Sequence, residues 1–197
     1  MSDANALTRD RRPDARQNEW VTHPSAADDR DRDLAGRPRN ARPRDGLGRP
    51  LPPGAPGVAT TPDGLALTPE QTVAEAQRLL REGLPFHAHE VLEAAWKGAG
   101  DAERELWKGL AQLAVGLTHA RRGNAVGAPR LLRRAADRIE PYAPRPPHGI
   151  AVRELTAWAR ALAARIEREG TLELPIDATV PALTPHADNR PSTMDAP

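Results

Sequence analysis

An all-α fold is predicted for this chain: one domain of about five helices with irregular ends. Three observations carry that prediction. Apolar residues recur at helical spacing between positions 73 and 166. Glycine and proline punctuate the pattern at intervals of a helix length. A set of residues also repeats forty positions apart, with Arg81, Gly83, Ala88, Leu92 and Ala95 returning as Arg121, Gly123, Ala128, Leu132 and Ala135. Small residues at matched positions suit closely packed hairpins. The expected architecture is two stacked helical hairpins, broadly tetratricopeptide-like, with a fifth helix as the C-terminal cap.

The first 63 residues predict a disordered N-terminal extension. Residues 1–60 hold eight prolines, eleven arginines and nine acidic residues, with little that is apolar and larger than alanine. Such a segment buries too little surface to offset its ordering entropy. Trp20 stands alone in it, as a docking motif would. Five arginines between positions 37 and 49 face only Asp45, a pattern for a solvated arm or a weak phosphate contact.

Order is predicted from Thr68. Thr68-Pro69-Glu70-Gln71 is a capping box, with threonine at the N-cap and proline at the first helical position. Val73, Ala76, Leu79 and Leu80 follow, and Gly83 ends this first helix. Pro85 opens a second, which Gly98 and Gly100 close. Asp101 is placed to cap the third, which runs to about Arg122. Its stripe of Leu106, Leu110, Leu113 and Leu117 is flanked by Trp107, Ala111, Ala114 and Val115, so it is apolar almost all round and predicted to be central. Gly109 and Gly116 are seven apart on one side, where a neighbour could approach closely. A fourth helix is expected at about 127–139 and a fifth at about 150–169. Residues 171–197 hold five prolines and no helical period, and predict a disordered tail. The folded domain is therefore expected at 64–170, with both ends dispensable for folding.

Composition excludes some classes. There is no cysteine, hence no disulfide framework and no thiolate metal site. Net charge is +1, which gives no general pull toward nucleic acid. Arginine outnumbers lysine 26 to 2, a skew read as codon composition. No apolar run approaches the ~18 residues of a membrane span, and the opening residues lack a signal pattern. A cytoplasmic location without membrane contact is the expectation.

The candidate site lies on the second and third helices. His89 and Glu93 are one turn apart on one face, and Trp96 borders them. Gln112 and His119, seven apart, share a face of the third helix. The run Phe86-x-x-His89-Glu90-Val91-Leu92-Glu93-x-x-Trp96, followed by Lys108-Gly109-Leu110-x-Gln112-Leu113-Ala114, His119, Gly123-Asn124 and Gly127-Ala128, resembles the DUF309 family of small prokaryotic helical proteins over roughly residues 68–140. The resemblance implies an all-α fold and a residue pattern, and no reaction. The chain departs from it at His87, where the family commonly has a small acidic residue.

Several readings of the cluster compete. One is a self-sufficient interior network of paired polar groups. A second is a divalent metal site for zinc, iron or manganese with His89, Glu93 and His119 as ligands. Glu90 would then be the general base of a hydrolase-like enzyme, although the second histidine of the His-Glu-x-x-His motif is replaced by Glu93. A third is a metal-free pocket for a small ligand or acid–base chemistry; no serine or cysteine nucleophile stands in the core. The fourth is an interaction module for a protein partner. The reading adopted is an interaction or ligand-binding domain with His89, Glu93, Trp96, Gln112 and His119 at the site. The metal-dependent enzyme is the alternative. Helix register places His89 nearest His119, and Glu93 nearest Gln112 or Lys108.

Overall fold

The Thr68 hydroxyl accepts from the backbone N–H of Gln71, and the Gln71 side chain accepts from the N–H of Thr68. This is the capping box that the sequence predicts, and it starts the first of the five α-helices among the described residues. A computed structural model of the chain describes residues 42–58, 67–170 and 177–185. Trp20 lies outside the described residues. Among those residues the helices are α1 (Pro69–Arg81), α2 (Pro85–Gly98), α3 (Asp101–Arg121), α4 (Gly127–Ile139) and α5 (Val152–Glu169). Asp101 is the first residue of α3 rather than its cap; Gly100 takes the cap position without a side-chain bond.

Each helix packs on its neighbour in sequence, and α3 lies between α2 and α4. Short connections join α1 to α2, α2 to α3 and α3 to α4, and a longer one with two 3-10 turns leads into α5. Gly83 and Gly123, matched in the forty-residue repeat, both end a helix in the left-handed conformation, at φ 74° and 84°. The side of α3 that carries Gly109 and Gly116 faces α4. A Cβ at Gly109 would overlap Ile139 Cγ2, and one at Gly116 would come within 3.1 Å of Leu132. Replacing Gly109 with alanine is therefore expected to cost about 1–3 kcal/mol, despite a helix-propensity gain of about 1 kcal/mol. Urea unfolding measures the difference, and a neutral result would mean the two helices stand farther apart.

Two stretches that the composition assigns to disordered ends include ordered structure. Residues 42–58 form a compact loop. Asp45 Oδ1 accepts from the N–H groups of Leu47 (2.9 Å) and Arg49 (2.8 Å), and Arg44 bridges to Pro50 and Val58. This loop seats on the α2 start. Gly48 lies against the Phe86 ring, the Arg44 guanidinium stacks 5.4 Å from that ring, and Arg122 donates to the Leu47 carbonyl. At the other end, Leu183 is 1% exposed and joins the core. Its carbonyl accepts from Ala151 N–H at 2.8 Å. Buried Gln77 of α1 binds the same segment twice, donating to Pro181 O (3.0 Å) and accepting from Leu183 N–H (2.7 Å).

His148, in a short 3-10 turn between α4 and α5, adopts a left-handed φ of 54°. Its ring nitrogens sit 3.1 Å from Glu70 Oε1 and 2.8 Å from Glu103 Oε2, and its ring lies 5.6 Å from that of Trp107. Partial burial pulls the His148 pKa down, but hydrogen bonds to Glu103 and Glu70 outweigh it and leave it raised. A folded-state pKa above the unfolded one stabilises fully below the unfolded value of about 6.5, and that stabilisation is lost as pH rises through the folded value. The melting temperature of the protein minus that of a His148→Asn variant, which tolerates the same φ, is expected to shrink between about pH 5.5 and about pH 8. A difference that grows with pH would contradict the clamp.

Candidate functional site

The faces of α2 and α3 that carry polar residues at helical spacing meet in a cleft of about 160 Å³. His89, Glu93 and Trp96 line it from α2; Lys108, Ala111, Gln112 and Val115 line it from α3. Four of the five binding residues expected from sequence are thus brought together.

Glu93 is already engaged. One oxygen lies 3.7 Å from His89 Nε2 and the other 3.1 Å from Lys97 Nζ, both one turn away. Burial pulls the His89 pKa below its ordinary value; Glu93 and Glu90 oppose that pull and Lys97 adds to it. The lowering favours the neutral imidazole. Lys108 Nζ lies 5.4 Å from the centre of the Trp96 ring, a cation–π contact, and 3.7 Å from Glu105. The Gln112 carbonyl oxygen accepts from Arg138 Nε at 3.1 Å, which fixes the orientation of the amide. Arg138 is also ion-paired with Glu105. The Trp96 indole N–H is shielded from solvent and has no acceptor among the described residues.

His119 stands apart. Its Nδ1 is 2.9 Å from the Asn124 amide nitrogen, in the connection that follows α3, and it is not among the residues of the cleft. Counted from the α2–α3 turn, it lies about nine residues beyond His89, or roughly 13 Å along the axis at ~1.5 Å per residue. The expected pairing of His89 with His119 is not made. The three-ligand set of His89, Glu93 and His119 is accordingly not assembled, and no group of three His, Cys, Asp or Glu side chains is placed to hold an ion among the described residues.

Glu90, the expected base, meets His87 instead of the cleft. His87 is 1% exposed, its Nδ1 lies 3.3 Å from Glu90 Oε2 out of hydrogen-bond alignment, and its Nε2 lies 3.4 Å from the Asp45 carbonyl. The sequence reading gave His87 no part. The 42–58 loop, which composition assigns to disorder, reaches it through the Asp45 carbonyl. Lys108 is the other residue left out of the expected site. Its signal was legible: it lies four residues before Gln112, on the same face.

A larger hollow of about 420 Å³ lies where α1 starts and α2 ends, lined by Leu67, Val91, Ala95, Ala99, Glu103 and Trp107 among others. Its one charged group, Glu103, is already bonded to Trp107 and His148. No set of uncommitted polar groups converges there, so the α2–α3 cleft is the stronger candidate.

Residues 73–131 match the family model described as Domain of unknown function (DUF309). That span runs from α1 into α4 and contains every residue of the cleft. No curated protein and no solved structure matches the chain.

Proposed function

We propose that this DUF309-like helical domain is a binding module whose α2–α3 cleft receives one compact group from a small ligand or a protein partner. The observation that carries the reading is the convergence of His89, Glu93, Trp96, Lys108 and Gln112 on one cleft. Its ~160 Å³ is well below the roughly 300–1,000 Å³ of sites that enclose a drug-sized molecule. An aromatic face beside a few polar groups is the usual make-up of an anchoring pocket.

The test is thermal unfolding with three compact probes (propionate, propionamide and propylammonium) at constant ionic strength. A probe present at about five times its Kd stabilises the folded state by about 1 kcal/mol, enough to raise Tm by a few degrees. At least one probe is expected to do so in the native chain and not in Val115→Phe, whose ring fills the cleft mouth. Equal shifts in both proteins, or none with any probe, would remove the reading.

A further inference from the structure

We propose that the group bound in the α2–α3 cleft is a carboxylate with a short hydrocarbon tail, held by Lys108 Nζ and the Gln112 amide NH2. The proposal rests on the reading of that cleft as a binding site and names the chemistry of its ligand.

Of the acceptors around the cleft, one Glu93 oxygen is held by Lys97 at 3.1 Å and the Gln112 oxygen takes the Arg138 N–H; the other Glu93 oxygen faces His89 at 3.7 Å. The donors are in excess. With its oxygen fixed on Arg138, Gln112 turns its NH2 to the other side, and that nitrogen has no partner among the described residues. Lys108 Nζ has a ring face at 5.4 Å and one carboxylate oxygen at 3.7 Å, and neither is a close hydrogen bond. The Trp96 N–H is shielded from solvent and has no acceptor among the described residues. Charge points the same way. Glu93 is paired with Lys97, and Lys108 shares the single carboxylate of Glu105 with Arg138, so two cations divide one anion. Two ammonium or amide N–H groups directed at one carboxylate form charge-assisted bonds.

Size and lining set the rest of the ligand. Water occupies about 30 Å³ per molecule, so the cleft holds roughly five non-hydrogen atoms, the size of propionate or of an aspartate side chain. Trp96, Ala111 and Val115 supply an apolar wall for the tail. A cationic ligand would meet Lys108, and Glu93 is already ion-paired with Lys97. A neutral amide would forgo the charge.

The experiment follows the Trp96 indole and Gln112 side-chain amide signals by ¹H–¹⁵N NMR during titration of the full chain at constant ionic strength. Propionate is expected to shift both signals saturably, with propionamide at least about ten-fold weaker and propylammonium without effect. Lys108→Met and Gln112→Glu, both at part-exposed positions, are each expected to weaken propionate about ten-fold or more while leaving the remaining spectrum folded. A blocked aspartate, N-acetyl-aspartate methylamide, separates the sources: binding equal to propionate assigns a peptide-borne carboxylate, and its exclusion assigns a free acid. Saturable binding of propylammonium but not propionate would overturn the carboxylate and leave the cleft a binding site. Equal binding of propionate and propionamide, unchanged by Lys108→Met, would do the same. No saturable shift with any of the three would overturn both.

Discussion

Replacing Trp107 with alanine is expected to cost about 3–5 kcal/mol, the range for a fully buried large aromatic. Trp107 is 2% exposed in α3, at the centre of the core. Its loss would leave a void that the surrounding α-helices are too closely packed to fill. It would also remove the indole N–H that donates to Glu103 at 3.1 Å, and the ring against which His148 lies. Trp96 is a different case. It is only part-buried, and one edge lines the cleft beneath Lys108. Its alanine variant is expected to lose distinctly less, because a part-exposed ring leaves a smaller cavity. Urea unfolding of the two variants gives the comparison. A loss below about 1 kcal/mol for Trp107→Ala would place that ring outside the core.

Ending the chain after Gly170 is expected to destabilise it by several kcal/mol, contrary to the expectation from composition that residues 171–197 are dispensable. Leu183 alone is a fully buried leucine, and such residues cost about 2–5 kcal/mol on truncation to alanine. The backbone around it satisfies both ends of buried Gln77 and the N–H of Ala151. Without that segment the Gln77 amide would lie at a half-open surface with neither partner. Leu183→Ala in the full chain separates packing from hydrogen bonding, since its backbone bonds stay. Calorimetry on the native chain, Leu183→Ala and the shortened chain should show falling Tm in that order. Equal melting of the native and shortened chains would restore the simpler expectation.

The helix plan was legible because its signals are local. Thr68 and Gln71 make a box within four residues, and Gly83 and Gly123 mark helix ends through a left-handed backbone that glycine adopts without strain. The close face of α3 was legible too, because Gly109 and Gly116 have no side chain to keep a neighbour away. Within the site, His89, Glu93, Trp96 and Gln112 were readable from helical register alone. His119 failed because facing is angular, whereas meeting also requires equal distance from the turn, and its height matches nothing on α2 beyond His89.

What stayed illegible rests on long-range contacts. The 42–58 loop is rich in arginine and proline, the composition of a disordered arm. It is held by particular backbone carbonyls: Leu47 receives Arg122, and Asp45 faces His87. Composition carries no record of such pairings. The anchoring of Leu183 is similar, although the apolar run Val180-Pro181-Ala182-Leu183 in the proline-rich tail was a signal available in the sequence. The resemblance to DUF309 holds over 73–131, and both long-range segments lie outside that span.

The pKa of His89 in the presence and absence of propionate tests the cleft most directly, because it reports the position and the charge of a ligand together. In the free protein, burial is expected to hold the His89 midpoint below the ordinary 6.5. A carboxylate bound within the same cleft places a second anion near the imidazole and favours its protonated form. The NMR titration of the His89 ring should therefore move to higher pH when propionate is saturating, and stay in place in Lys108→Met at the same concentration. A free-protein midpoint at or above 6.5, or one that propionate leaves unmoved while the Trp96 signal shifts, would contradict the account.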